Sequence, residues 1–68
     1  MEEISKRLGE NLKKIRMKKG LSQGAIARLL EVDKGYISNI EHGKKNPTLA
    51  TIDRLANALC VPVKALLE

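Results

Sequence analysis

Gln23-Gly24-Ala25-Ile26-Ala27-Arg28-Leu29-Leu30-Glu31-Val32-Asp33-Lys34-Gly35-Tyr36-Ile37-Ser38-Asn39-Ile40-Glu41 decides the fold of this chain. Two short helical patterns meet there at a tight turn. Ile26, Leu30, Val32, Ile37 and Ile40 form one apolar set, spaced for burial. Ala27 is small and falls where two crossing helices would touch. Lys34, Gly35, Ser38 and Asn39 are left on the outer face of the second helix.

Working outward, Ile4, Leu8, Leu12 and Ile15 recur at helical spacing and predict a first helix over Glu3–Lys19. Glu2 and Glu3 at its start and Lys18 and Lys19 at its end suit the helix dipole. Gly20 is placed to end it as a left-handed cap. Ser22 reads as the N-cap of a second helix, Gln23–Leu30, and Asp33 as the cap of a third, Lys34–Glu41, ended by His42-Gly43. Thr48, after Asn46-Pro47, caps a fourth, whose inner face carries Leu49, Ile52, Leu55, Ala56 and Leu59. Pro62 opens a short fifth helix through Leu67. No stretch alternates at period two for long enough to make a strand. The expected fold is all-α, a compact five-helix bundle with one shared core and a helix-turn-helix over about residues 23–41.

The 68 residues allow one domain, 1–68. A chain of this size buries only about 60% of its unfolded surface, so association with a second copy would stabilise it. Tyr36 is the one aromatic residue, leaving the core to the aliphatics. The 13 Lys and Arg outnumber the 8 Asp and Glu, for a net charge of +5. That balance suits a polyanionic partner, and also simple solubility. A single cysteine, Cys60, rules out an internal disulfide and a multi-cysteine metal site. It is expected to be a small buried residue. No apolar run approaches the roughly 20 residues that span a bilayer, and the N-terminus has no signal-peptide pattern. A cytoplasmic protein without membrane association is the expectation.

Two helices around a tight turn, the second polar outside, follow the plan in which that second helix enters the DNA major groove. Asn39, in the middle of the third helix, suits adenine N6 and N7. Lys34 can reach guanine O6 and N7 or a phosphate. Gly35 permits close approach of the helix N-terminus, and Ser38 can bond a base, a phosphate or its own helix at Lys34. Gln23, at the start of the second helix, is placed for a phosphate. So are Lys44, Lys45 and Asn46 in the loop after the third helix. Tyr36 can send its hydroxyl to a phosphate while its ring packs on the domain.

The chain resembles the phage repressor and Cro family of helix-turn-helix proteins, the xenobiotic-response-element type. Leu12-Lys13-Lys14-Ile15-Arg16, Lys19-Gly20-Leu21-Ser22-Gln23, Tyr36 to Lys44, Asn46-Pro47-Thr48-Leu49, Leu55 to Leu59 and Val61-Pro62 carry the resemblance. It implies a five-helix DNA-binding domain that usually acts as a dimer on a palindromic site. It also implies a backbone contact for Gln23 and an ion pair between Arg16 and Glu41 that holds the recognition helix. Glu31 and Cys60 depart from the pattern, standing where the family favours glycine. Gly24 and Gly35 are further departures that lower helix propensity.

These readings predict a sequence-specific transcriptional regulator on double-stranded DNA, a homodimer without a sensor domain. Helices two and three being committed to DNA, the dimer surface falls to the C-terminal end, at Val61, Pro62, Val63 and Leu67. The alternative is a protein-interaction module, an antitoxin or adaptor. An enzyme is not expected: His42 and Cys60 form no catalytic motif. No catalytic residue, metal, cofactor or small-molecule effector is predicted.

Overall fold

The computed structural model describes residues 2–68, with side chains from Glu3 onward. Met1 and the side chain of Glu2, read above as part of an acidic helix start, lie outside the described residues. The helices are α1 (Glu2–Lys18), α2 (Gln23–Leu30), α3 (Lys34–Glu41), α4 (Leu49–Leu59) and α5 (Val63–Leu67). No strand occurs among the described residues.

Each helix ends for an identifiable reason. The Ser22 hydroxyl accepts from the Ala25 N–H at 3.0 Å and opens α2. Thr48 does the same for α4, accepting from the Thr51 N–H at 3.2 Å. Asp33 has the extended backbone of an N-cap, but its side chain makes no capping bond, unlike the expectation. Pro62 is the cap of α5 rather than its first residue. Glu31 and Cys60 end α2 and α4 in the left-handed region, at φ 59° and 57°. A side chain costs about 1 kcal/mol in that conformation.

The core gathers residues from every helix: Leu8 and Leu12 of α1, Ile26 and Leu30 of α2, Ile37 and Ile40 of α3, Leu55 and Leu59 of α4, and Leu66 of α5. Ala27 is buried at the meeting of α2 and α3, which pack on one another. Not every expected buried position is buried. Ile4 is 63% exposed and Leu49 77% exposed, each lying in the first turn of its helix, beyond the reach of the neighbouring elements. Val32 sits in the turn and is half-buried against the core edge. Cys60 is exposed, because the left-handed turn that ends α4 carries it outward.

The inner face of α1 also carries small residues. Ser5, Leu8, Gly9, Leu12 and Arg16 are all buried, at the spacing of one helical stripe. Glycine at position 9 lets α1 cross the end of α3 backbone to backbone. The C-terminus of α5 is tied back to α1 by Asn11, whose Nδ2 donates to the Leu66 carbonyl at 2.9 Å. Arg54 of α4 donates to the Leu30 carbonyl and ties α4 to the end of α2.

Candidate nucleic-acid interface

Helix α3 turns Ile37, Ile40 and Glu41 inward. Lys34, Gly35 and Asn39 are exposed on its other side and Ser38 is half-buried. The 3.6-residue period puts these four on one outer face. Polar chemistry is thus displayed where a groove could be read. Tyr36 is half-buried with its ring packed against the core.

One buried cluster sets where this helix sits. Arg16 Nε donates to Glu41 Oε2 at 2.6 Å, and Nη2 donates to Oε1 at 3.2 Å. The remaining guanidinium nitrogen, Nη1, donates to the Leu21 carbonyl at 2.7 Å. Glu41 keeps only 2% of its side-chain exposure and Arg16 only 10%. A carboxylate taken so far from water needs a charged, directional partner, and the forked guanidinium supplies one. The expected pair is present and bidentate.

Gln23 joins the same cluster. Its Nε2 donates to Glu41 Oε1 at 2.9 Å. The expectation gave this side chain to a phosphate alone; in the structure one of its two N–H donors is already engaged inward. The second N–H remains, so the amide can bridge Glu41 and an anion. This bond places the N-terminus of α2 beside the C-terminal end of α3. The backbone N–H groups of the first turn of α2 have no partners within the helix.

The loop after α3 completes the surface. Gly43 ends the helix at φ 74°. Its N–H bonds to the Ile40 carbonyl at 3.0 Å, and the Lys44 N–H bonds to the Asn39 carbonyl at 2.9 Å. Lys44, Lys45 and Asn46 are all exposed directly beyond this turn. His42 is exposed too, with Nδ1 2.7 Å from the Ser38 carbonyl and 3.4 Å from its hydroxyl. The Ser38 hydroxyl therefore faces one turn forward to His42, not back to Lys34.

The structure brings together Gln23, the outer face of α3 and the lysine loop. It separates the C-terminal residues into two kinds. Val61 and Val63 are half-buried against the monomer core, whereas Pro62 is exposed and Leu67 is 40% exposed. Pro62 and Leu67 therefore offer the larger exposed surface, and the two valines a partly covered one. Two buried residues of this region escaped the sequence reading, Ser5 and Gly9. The signal for both was present: on the inner stripe of α1 Ser5 stands three residues before Leu8, and Gly9 four residues after Ser5 and three before Leu12.

Among the described residues no cluster of His, Cys, Asp and Glu is arranged to hold a metal ion. Nor, among the described residues, is any helix long and apolar enough to cross a membrane.

The family model described as helix-turn-helix, HTH_3, matches residues 12–66. The chain is 36% identical to the control protein C.MunI of Mycoplasma sp over 67 residues, which is 97% of this chain and 90% of that protein. Its structure is similar to that of the restriction-modification controller protein C.AhdI from Aeromonas hydrophila. That match has a TM-score of 0.87 and 35% identity, and covers 91% of this chain and 94% of the other. It is also similar to the restriction-modification controller protein C.Esp1396I, solved as a tetramer in complex with its natural 35 base-pair operator. There the TM-score is 0.80 and the identity 27%, with 96% of each chain covered.

Proposed function

The chain belongs to the HTH_3 helix-turn-helix family, and from that membership we propose that it is a sequence-specific transcriptional regulator of double-stranded DNA, acting as a homodimer on a palindromic operator. The observation that carries this reading is the junction of α2 and α3. Gln23 and Glu41 hold the two helices so that the start of α2, with the N–H groups of Gln23 and Gly24 left uncapped by Ser22, the polar outer face of α3 and the Lys44–Asn46 loop adjoin. Donors for phosphate flank a helix whose outward side chains can read base edges.

In this arrangement α3 lies in the major groove. Asn39 reads adenine, Lys34 reads guanine or touches a phosphate, and Ser38 reaches a base or phosphate beside them. Gly35 brings the start of α3 close to the bases. Gln23, Lys44, Lys45 and Asn46 grip phosphates on either side, with Tyr36 contributing its hydroxyl. Arg16 and Glu41 touch no DNA; they fix the angle at which α3 is offered. A single α3 of 8 residues reads only a handful of base pairs. Two copies about 34 Å apart, one DNA turn, double the contacts and supply the specificity one half-site lacks. Control comes, in this reading, from the concentration of the regulator itself through the monomer–dimer equilibrium. Action on DNA in the cytoplasm follows from this reading.

Selection of bound sequences from a random duplex pool tests it. The expected result is a two-fold symmetric consensus, bound with an affinity that falls as salt rises. The slope of log K against log salt should be near −0.9 per phosphate engaged. A pool that yields no consensus, or binding indifferent to salt, would defeat the proposal.

A further inference from the structure

The Lys44–Asn46 loop is anchored from an unexpected side. At Gly43 the chain turns directly against α1: a Cβ built there would stand 3.2 Å from the Cα of Lys6. One residue earlier on α1, Ser5 is 5% exposed. It lies on the inner stripe with Leu8 and Leu12, where a hydroxyl out of water needs a partner. That partner is Asn46, 41 residues away, whose Oδ1 accepts the hydroxyl hydrogen bond.

The bond has a chemical consequence for Asn46. A carboxamide offers an acceptor at one end and two N–H donors at the other. A free, exposed Asn can present either end. With Oδ1 committed to Ser5, the end left to solvent is the amide nitrogen, which can only donate. The Asn46 amide then offers its donors outward beside Lys44 and Lys45, and phosphate oxygens accept from donors.

We infer that Ser5 is a positioning residue for DNA binding: it orients Asn46 so that the lysine loop carries a preset neutral donor for a phosphate. This rests on the proposed function and adds to it a residue that touches no DNA itself. Presetting means the amide need not be ordered when DNA arrives, so its contact keeps more of its strength. Because the contact is to a phosphate, it serves every sequence alike.

The experiment uses the full chain with two duplexes, the selected site and a random sequence, read by fluorescence anisotropy. Thermal unfolding by circular dichroism runs in parallel. Ser5→Ala, Asn46→Ala, the double variant and Asn46→Asp are compared. Ser5→Ala is expected to weaken both duplexes by roughly 3- to 10-fold, the range of one hydrogen bond. The double variant should bind no worse than Asn46→Ala alone, since Ser5 acts only through Asn46. Asn46→Asp retains the acceptor for Ser5 but sets an anion against the phosphate. It should keep the wild-type melting temperature and bind both duplexes more weakly than Asn46→Ala, an outcome a staple remote from the DNA would not produce.

Wild-type affinity for both duplexes in folded Ser5→Ala would overturn the inference. So would simple addition of the two single losses. If Ser5→Ala does not fold, Asn46→Asp decides: DNA binding equal to wild type removes the inference. A wild-type chain that binds no duplex removes the proposed function and this inference together. A wild-type chain that binds, with Ser5→Ala unaffected, removes the inference alone.

Discussion

Gly9 of α1 and Ile40 of α3 meet backbone to backbone. A Cβ built on Gly9 would lie 2.4 Å from the Ile40 carbonyl oxygen and 2.6 Å from that of Glu41. Those carbonyls belong to the last turn of α3 and cannot swing away as a flexible side chain could. The crossing of α1 and α3, and with it the pose of the outer face of α3, depends on the absence of one methyl group.

Gly9→Ala should therefore destabilise the domain, although alanine is the better helix former by about 1 kcal/mol. Forcing a methyl into a full space costs typically about 1–3 kcal/mol, and the contact here is with rigid backbone. Thermal or urea unfolding measures it. A gain in stability would mean that α1 and α3 are further apart than described.

Arg16→Ala leaves Glu41 buried with only Gln23 to answer its charge. Breaking one side of a buried pair costs about 3–5 kcal/mol, a large share of what a domain of this size has to lose. The loss should appear as a lower urea midpoint or as outright unfolding. An unchanged midpoint would show that the pair contributes nothing.

Glu31→Gly and Cys60→Gly act in the opposite direction. Both residues hold positive φ at the end of a helix, 59° and 57°. Relief of that strain is worth up to about 1 kcal/mol each, less the added freedom of glycine in the unfolded chain. Each melting temperature should rise by no more than about 4–8 °C. A fall in both would refute the left-handed caps.

Asn39 and Lys45 should separate by the kind of contact they make. Asn39→Ala is expected to cost about 1–3 kcal/mol on the selected site and to relax selectivity at one base pair. Lys45→Ala should weaken selected and random duplexes alike and reduce the salt slope by about one. Equal losses for both variants on both duplexes would show that Asn39 does not read a base.

The dimer is best tested at Leu67, exposed where Val61 and Val63 are half-buried in the monomer. Leu67→Asp should abolish self-association in sedimentation while leaving the circular dichroism spectrum of the monomer intact. Binding to a palindromic duplex should then fall more steeply than binding to a half-site. A wild-type chain that stays monomeric, free and on DNA, would remove the two-fold arrangement.

The periodic features were legible in the chain itself. Leu8, Leu12, Ile26, Leu30, Ile37, Ile40, Leu55 and Leu59 mark the helices because burial repeats with the helical period, and Ser22 and Thr48 mark their starts because capping is local chemistry. The bounds of α2 and α3 follow from those signals alone. The outward placement of Lys34, Gly35 and Asn39 follows from the same period. Periodicity reported less well on helix ends: Ile4 and Leu49 keep the spacing of core residues but have no neighbour to pack on.

What only the tertiary structure decided are the relations between elements distant along the chain. Pairing of Arg16 with Glu41 was implied by resemblance, but the inward turn of Gln23, the contact of Gly9 with Ile40 and the bond from Ser5 to Asn46 were not. Each joins residues whose sequence neighbourhoods say nothing of one another. A glycine, a serine or a glutamine carries weak local preference. Its role depends on which backbone or carboxylate the packed helices bring within hydrogen-bond distance, and that distance exists only once the core has closed.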